Sequence, residues 1–141
     1  MKKICLLSLF LLFIFVLNAH SQEKPAREYA EFTSQKVETN MQAGKTYSVS
    51  ITFKNTGGKT WEKGKYWIIY SDPRMNARNN NVWGIDSVAV KKNVKKGSKY
   101  EFNFKVTAPQ EPGIYFFSWM LCGRYGTFGT GSEMQQITIS Q

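Results

Sequence analysis

The residues able to do chemistry are few and far apart. His20 is the sole histidine among 141 residues, the aspartates are Asp72 and Asp86, and the cysteines are Cys5 and Cys122. A Ser–His or Cys–His nucleophile pair needs an imidazole beside the hydroxyl or thiol, and the common zinc sites draw on histidine. His20 stands at the end of an apolar leader, which removes it from the folded part. Neither aspartate belongs to a calcium-loop spacing. The glutamates are dispersed over turns and strand exteriors; two could meet in space as a glycosidase pair, but no insertion accompanies them that would build a cleft. The pattern predicts a protein that is not an enzyme, with no catalytic residue, no metal site and no cofactor.

The leader has three parts. Met1-Lys2-Lys3 is basic, residues 4–19 carry no charge, and Ala19-His20-Ser21 is a small-x-small site open to cleavage before Gln22. Together these read as a secretory signal peptide over residues 1–21. The rival is a retained anchor, but the apolar run from Ile4 to Leu17 falls short of the roughly 20 residues a spanning helix needs. Cys5 lies inside that run and not at its end, which argues against a lipoprotein. The expected location is secreted or periplasmic, with no membrane span after cleavage.

What remains suits one modest domain. Removing Lys2 and Lys3 from the 19 basic residues leaves 17 against 10 acidic ones, a balance of +7. The lysines are scattered and often sit beside acids, as in Trp61-Glu62-Lys63, whereas a nucleic-acid binder clusters them on one element; no nucleic-acid partner is expected. The densest group, Lys91-Lys92 with Lys95-Lys96, reads as a solvated loop, with contact to an anionic surface as the alternative. Cys122 is left without a second cysteine for an intrachain disulfide. Its blander reading is a buried, inert thiol; the other is an intermolecular bond.

Residues 22–30 read as a polar, flexible lead without periodicity, ahead of a domain at 31–141. Beyond the lead the period is two. In residues 46–54, Tyr47, Val49, Ile51 and Phe53 share one face and Ser48, Ser50, Thr52 and Lys54 the other; residues 99–107 repeat the pattern with Tyr100, Phe102, Phe104 and Val106 inward. Such alternation marks half-buried antiparallel strands. Further strands are expected at 31–38, 66–70, 85–90, 114–122 and 134–140, which makes seven, with no amphipathic helix. The fold class is all-β: an immunoglobulin-like antiparallel sandwich of about seven strands with no disulfide. A small closed barrel is the runner-up. Pro112-Gly113-Ile114-Tyr115 resembles the tyrosine corner that opens the sixth strand of such sandwiches.

The order of short motifs carries a resemblance. Asn55-Thr56-Gly57 leads to Trp61, then come Trp83-Gly84, Val106-Thr107-Ala108-Pro109, and Pro112-Gly113-Ile114-Tyr115 leading to Trp119. The series resembles the immunoglobulin-like four-tryptophan domain, the central domain of the "Next to BRCA-one" autophagy receptors, over roughly residues 32–139. Trp61, Trp83 and Trp119 fall on three of that family's tryptophans. The fourth stands just before Phe-Gly in the family, where this chain has Thr127; Trp67 restores the number but not the position. The resemblance implies a non-catalytic interaction module.

Two groups of side chains are candidate sites. Trp61, Trp83 and Trp119 are first of all core packing. If Tyr115, Phe117, Trp119 and Leu121 point inward, then Phe116, Ser118 and Met120 point outward. The same parity puts Trp67 and Ile69 outward on the third strand, a neighbour of the sixth in this fold. Trp67, Ile69, Phe116 and Met120 are thus expected to form one exposed apolar patch for a protein partner or a second copy. Arg74, Arg78 and Asn80, in the long segment 71–82, would rim it. The alternatives are a carbohydrate-binding module for cell-wall or extracellular glycans, using Trp67, Trp83 and Asn80, and a structural adhesion or scaffold domain that covers the patch itself.

Overall fold

The structure is a computed structural model and describes residues 27–72 and 81–141. All regular elements among these residues are strands. In chain order they are β1 (Ala30–Lys36), β2 (Asn40–Gln42), β3 (Thr46–Asn55), β4 (Trp67–Tyr70), β5 (Ser87–Ala89), β6 (Lys99–Thr107), β7 (Gly113–Phe117), β8 (Trp119–Gly123), β9 (Gly126–Phe128) and β10 (Gln135–Ser140).

One layer has the order β1-β3-β6. The alternation read from the sequence decides which face it buries: Val49, Ile51 and Phe53 of β3 and Tyr100, Phe102 and Val106 of β6 are buried, while Ser48, Lys54, Glu101, Asn103 and Lys105 are not. The second layer is made of two ladders, β2-β10-β7 and β5-β4-β8-β9. The two ladders meet where β7 and β8 are separated by Ser118 alone. The strand expected at 114–122 therefore exists but is broken. At the break Ser118 is buried, against the expectation that it points outward, and its hydroxyl donates to the Ser132 carbonyl at 3.3 Å. The Trp119 amide donates to Ser132 Oγ at 3.0 Å, and the Ser132 amide to the Trp119 carbonyl at 2.7 Å. Two small hydroxyls thus satisfy backbone that the ladder leaves unpaired at the joint, as burial demands.

The two layers enclose a core rich in aromatic rings. Trp61, Trp83 and Trp119 are all fully buried. Trp119 meets Phe104 at 5.0 Å and Phe117 at 5.8 Å between ring centroids; Trp83 meets Phe117 at 5.3 Å and donates its indole N–H to the Phe116 carbonyl at 3.3 Å. These rings fill the space between sheets that a disulfide bridges in antibody domains. Cys122 is a buried thiol, and no disulfide occurs among the described residues.

The short motifs also acquire structural causes. Asn55 is fully buried: its Nδ2 donates to the carbonyls of Lys59 and Val94, each at 2.9 Å, and its Oδ1 accepts from the Gly57 amide at 3.2 Å. Gly57 is required by close approach, since a Cβ there would lie 2.4 Å from the Tyr29 backbone nitrogen. Gly129 has φ +78, and its Cβ would lie 2.1 Å from the Ala30 carbonyl oxygen. The Tyr115 hydroxyl donates to the Glu111 carbonyl at 2.9 Å, which is the tyrosine-corner bond. Of the lead expected at 22–30, residues 27–30 are described, and they are held. Glu28 Oε1 accepts from Lys59 Nζ at 3.2 Å and from the Tyr66 hydroxyl at 2.8 Å. Burial, followed by the hydrogen bond to Glu28, holds the Tyr66 phenol above its ordinary range. The hydrogen bond to Glu28 likewise raises the Lys59 ammonium.

Candidate functional site

The ladder of β4 with its neighbours fixes which side chains share the outer face. Trp67 stands opposite Cys122 and Ile69 opposite Met120 on β8; on the other side Trp67 faces Ala89 and Ile69 faces Ser87 of β5. Cys122 in turn faces Thr127 on β9. Two cross-strand rows result: Ser87, Ile69 and Met120 in one, and Ala89, Trp67, Cys122 and Thr127 in the other. The intervening row, Val88, Ile68 and Leu121, points into the core, where Ile68 and Leu121 are fully buried.

Trp67, Ile69 and Met120 are half-buried, and Cys122 is 8 % exposed although it lies on the outer face. Trp67, Ile69, Tyr70, Asn81, Asp86 and Cys122 line a cleft of about 380 Å³. Its floor is apolar and its rim polar. Asn81 is held in place by the backbone around it: Oδ1 accepts from the Trp83 amide at 3.1 Å, and Nδ2 donates to the Ile85 carbonyl. Asp86 is exposed and contributes a negative charge to the rim.

The structure brings Trp67, Ile69 and Met120 together on one face. Phe116 falls on the far side of the Ser118 joint, in the ladder with β10 opposite Gln136, and does not line the cleft. Its carbonyl accepts from both the Trp83 indole and the Tyr70 hydroxyl. Arg74, Arg78 and Asn80 lie outside the described residues. Trp83, named for glycan contact, is fully buried and offers no ring face to a sugar. Reading the sequence missed Cys122, Tyr70, Asn81 and Asp86. For Cys122 the signal was present, because it follows Met120 by two residues on the same strand face; Asn81 and Asp86 reach the rim by the course of the chain between β4 and β5, which no local pattern encodes.

Among the described residues no group of three His, Cys, Asp or Glu side chains converges as a metal site, and no helix is long and apolar enough to cross a membrane.

Comparison with known proteins gives the following. The family described as "Ig-like domain from next to BRCA1 gene" matches residues 34–138. No curated protein matches the chain. Among solved structures, the solution structure of the CARDB domain of a Pyrococcus furiosus protein superposes with a TM-score of 0.51 at 10% identity, covering 80% of this chain and 94% of that one. A crystal structure of the same domain in complex with di-metal ions gives 0.50 at 13% identity, over 84% and 90%. A Niemann-Pick type C2 protein from the Japanese carpenter ant gives 0.49 at 12% identity, over 84% and 98%. At these identities the CARDB likeness speaks to the fold alone.

Proposed function

Since the chain belongs to the Ig-like domain family of the next to BRCA1 gene, we propose that it is a non-catalytic, exported protein-binding module whose docking face is the outer surface of β4 and β8. One observation carries this reading: an apolar cleft floored by Trp67, Ile69 and Cys122 and rimmed by Asn81 and the charged Asp86. Apolar floors with a polar rim are the anatomy of protein interfaces, and tryptophan is enriched among their energetic centres. The partner that fits is an extended segment presenting an apolar side chain to the floor and a lysine or arginine to Asp86. The family pattern lends a second support. Thr127, which stands where the family has its fourth tryptophan, occupies the same cross-strand row as Trp67, with Cys122 between them. The indole missing on β9 is replaced within that row on β4.

Panning a displayed random-peptide library against the immobilised chain tests the proposal. Enriched peptides should combine an apolar anchor with a basic neighbour. They should lose binding to Trp67→Arg and to Asp86→Lys, and keep binding to Lys54→Glu on the opposite layer. Peptides indifferent to Trp67→Arg, or no enrichment at all, would overturn the reading. Trp67→Arg should lower the thermal midpoint much less than Trp119→Ala, for which burial of a whole indole implies a loss of about 3–5 kcal/mol.

A further inference from the structure

The first layer ends in β6, and among the described residues no strand pairs with its outer edge. Backbone hydrogen bonding along it follows from its fixed points. Asn55 of β3 receives the Gly97 amide on its carbonyl at 2.6 Å and gives its own amide to the Ser98 carbonyl at 2.9 Å. Stepping by two along β3, the residues Phe53, Ile51, Val49 and Tyr47 face Tyr100, Phe102, Phe104 and Val106, which therefore spend their amides and carbonyls on β3. Glu101, Asn103 and Lys105 direct theirs the opposite way, to the open side. The Thr107 amide confirms the alternation, since it donates outward to the Trp83 carbonyl at 2.9 Å.

Among the described residues, the chain between Trp83 and Lys91 is hydrogen-bonded to this strand at its two ends. Trp83 takes the Thr107 amide, and the Lys91 amide donates to the Tyr100 hydroxyl at 2.9 Å. Between those points β5 turns away to pair with β4 in the other layer. Glu101, Asn103 and Lys105 are exposed, and neither charge has an ion-pair partner among the described residues. Across β3 they face only Thr52, Ser50 and Ser48.

We propose that β6 is a self-association edge, pairing antiparallel with β6 of a second copy about a two-fold axis through Asn103. In that register Asn103 stands opposite its symmetry mate and Glu101 opposite Lys105 of the other copy, twice. All these residues carry outward-directed backbone groups, so each opposed pair exchanges two hydrogen bonds. Cross-strand Cβ atoms then lie about 4.5–5.5 Å apart, within reach of an ion pair. The charges select the register as well as tolerate it. A slip to an axis through residue 101 sets Glu101 against Glu101, and one through residue 105 sets Lys105 against Lys105; like charges directly opposite are destabilising. Charged residues on a sheet edge commonly serve to repel other strands, but here one register, and only one of these three, turns repulsion into attraction. The ladder stops at Thr107 because Trp83 already holds that amide.

Sedimentation equilibrium on the purified protein, expressed from its complete reading frame and with its N-terminus defined by intact mass, is the test. At low ionic strength the mass should rise from monomer to dimer across the micromolar range. Glu101→Lys alone and Lys105→Glu alone should each weaken association at least about tenfold, because symmetry converts both ion pairs to repulsion. The double exchange should restore it. Asn103→Pro, which removes the amide at the axis from a position facing away from β3, should abolish the dimer while the thermal midpoint holds. Trp67→Arg should leave the dimer intact, which separates this edge from the docking face proposed above. A chain that stays monomeric at high concentration, a dimer that survives Glu101→Lys and Asn103→Pro, a double exchange that fails to rescue, or a dimer broken by Trp67→Arg would each overturn the proposal.

Discussion

Asn55→Ala is the perturbation whose cost can be worked from the structure most directly. The side chain is fully buried and makes three hydrogen bonds, to the Lys59 carbonyl, the Val94 carbonyl and the Gly57 amide. At a net value of about 1 kcal/mol each, their loss totals about 3 kcal/mol. Two of the stranded groups keep another partner: Val94 still accepts from the Trp61 amide at 2.9 Å, and the Gly57 amide still reaches the Tyr29 carbonyl at 3.2 Å. Only the Lys59 carbonyl loses its bond outright, so the cost should stay near that figure and not climb toward three full desolvation penalties. For a domain of this size about 3 kcal/mol lowers the thermal midpoint by about 12 °C. Urea unfolding followed by tryptophan fluorescence would measure it, with the midpoint falling and the slope unchanged. A loss under about 1 kcal/mol would refute the reasoning, since it would mean that the turn from β3 to Trp61 holds itself without the amide.

The joint and the N-terminal tie give two more. Ser132→Ala leaves the Trp119 amide buried without its acceptor while keeping the backbone bond in the reverse direction, so it should cost about 1–3 kcal/mol in thermal unfolding and expose the Trp119 amide to hydrogen exchange. Tyr66 and Lys59 both titrate above their ordinary values of 10.0 and 10.5. The unfolded chain therefore releases these protons first as pH rises, and the stability they confer is present below about pH 10 and lost above it. Glu28→Gln should flatten that alkaline limb in a series of melts, and an unchanged limb would show that the Glu28 contacts do not set it.

The long strands were legible in the sequence because a sheet with one dry face imposes period two, and β3 and β6 obey it over their whole length. The three-residue strands β2 and β9 were not, for two side chains on one face cannot establish a period, whereas β5 fell inside the expected 85–90. The joint at Ser118 escaped for a different reason. Alternation runs through it unbroken, with Phe117, Trp119 and Leu121 all buried, so the sequence shows one strand where hydrogen bonding makes two. Phe116 and Met120 thereby look like neighbours of equal standing, although one pairs with β10 and the other with β4. Trp83 shows the limit from the other side: its residue type suits a sugar platform, but its burial is decided by Tyr115 and Phe117, some thirty residues away in the chain.

The pairing of β2 with β10 is parallel, with Asn40, Met41 and Gln42 set against Thr138, Ile139 and Ser140, and the Ala43 amide closing on the Ser140 carbonyl at 2.8 Å. One strand lies near the beginning of the fold and the other at its end. A pull on β2 from its N-terminal side and on β10 from its C-terminal side therefore draws the two strands past one another lengthwise. Every bond of that short ladder is strained in shear at the same instant, whereas an antiparallel hairpin pulled at its open ends unzips one bond after another.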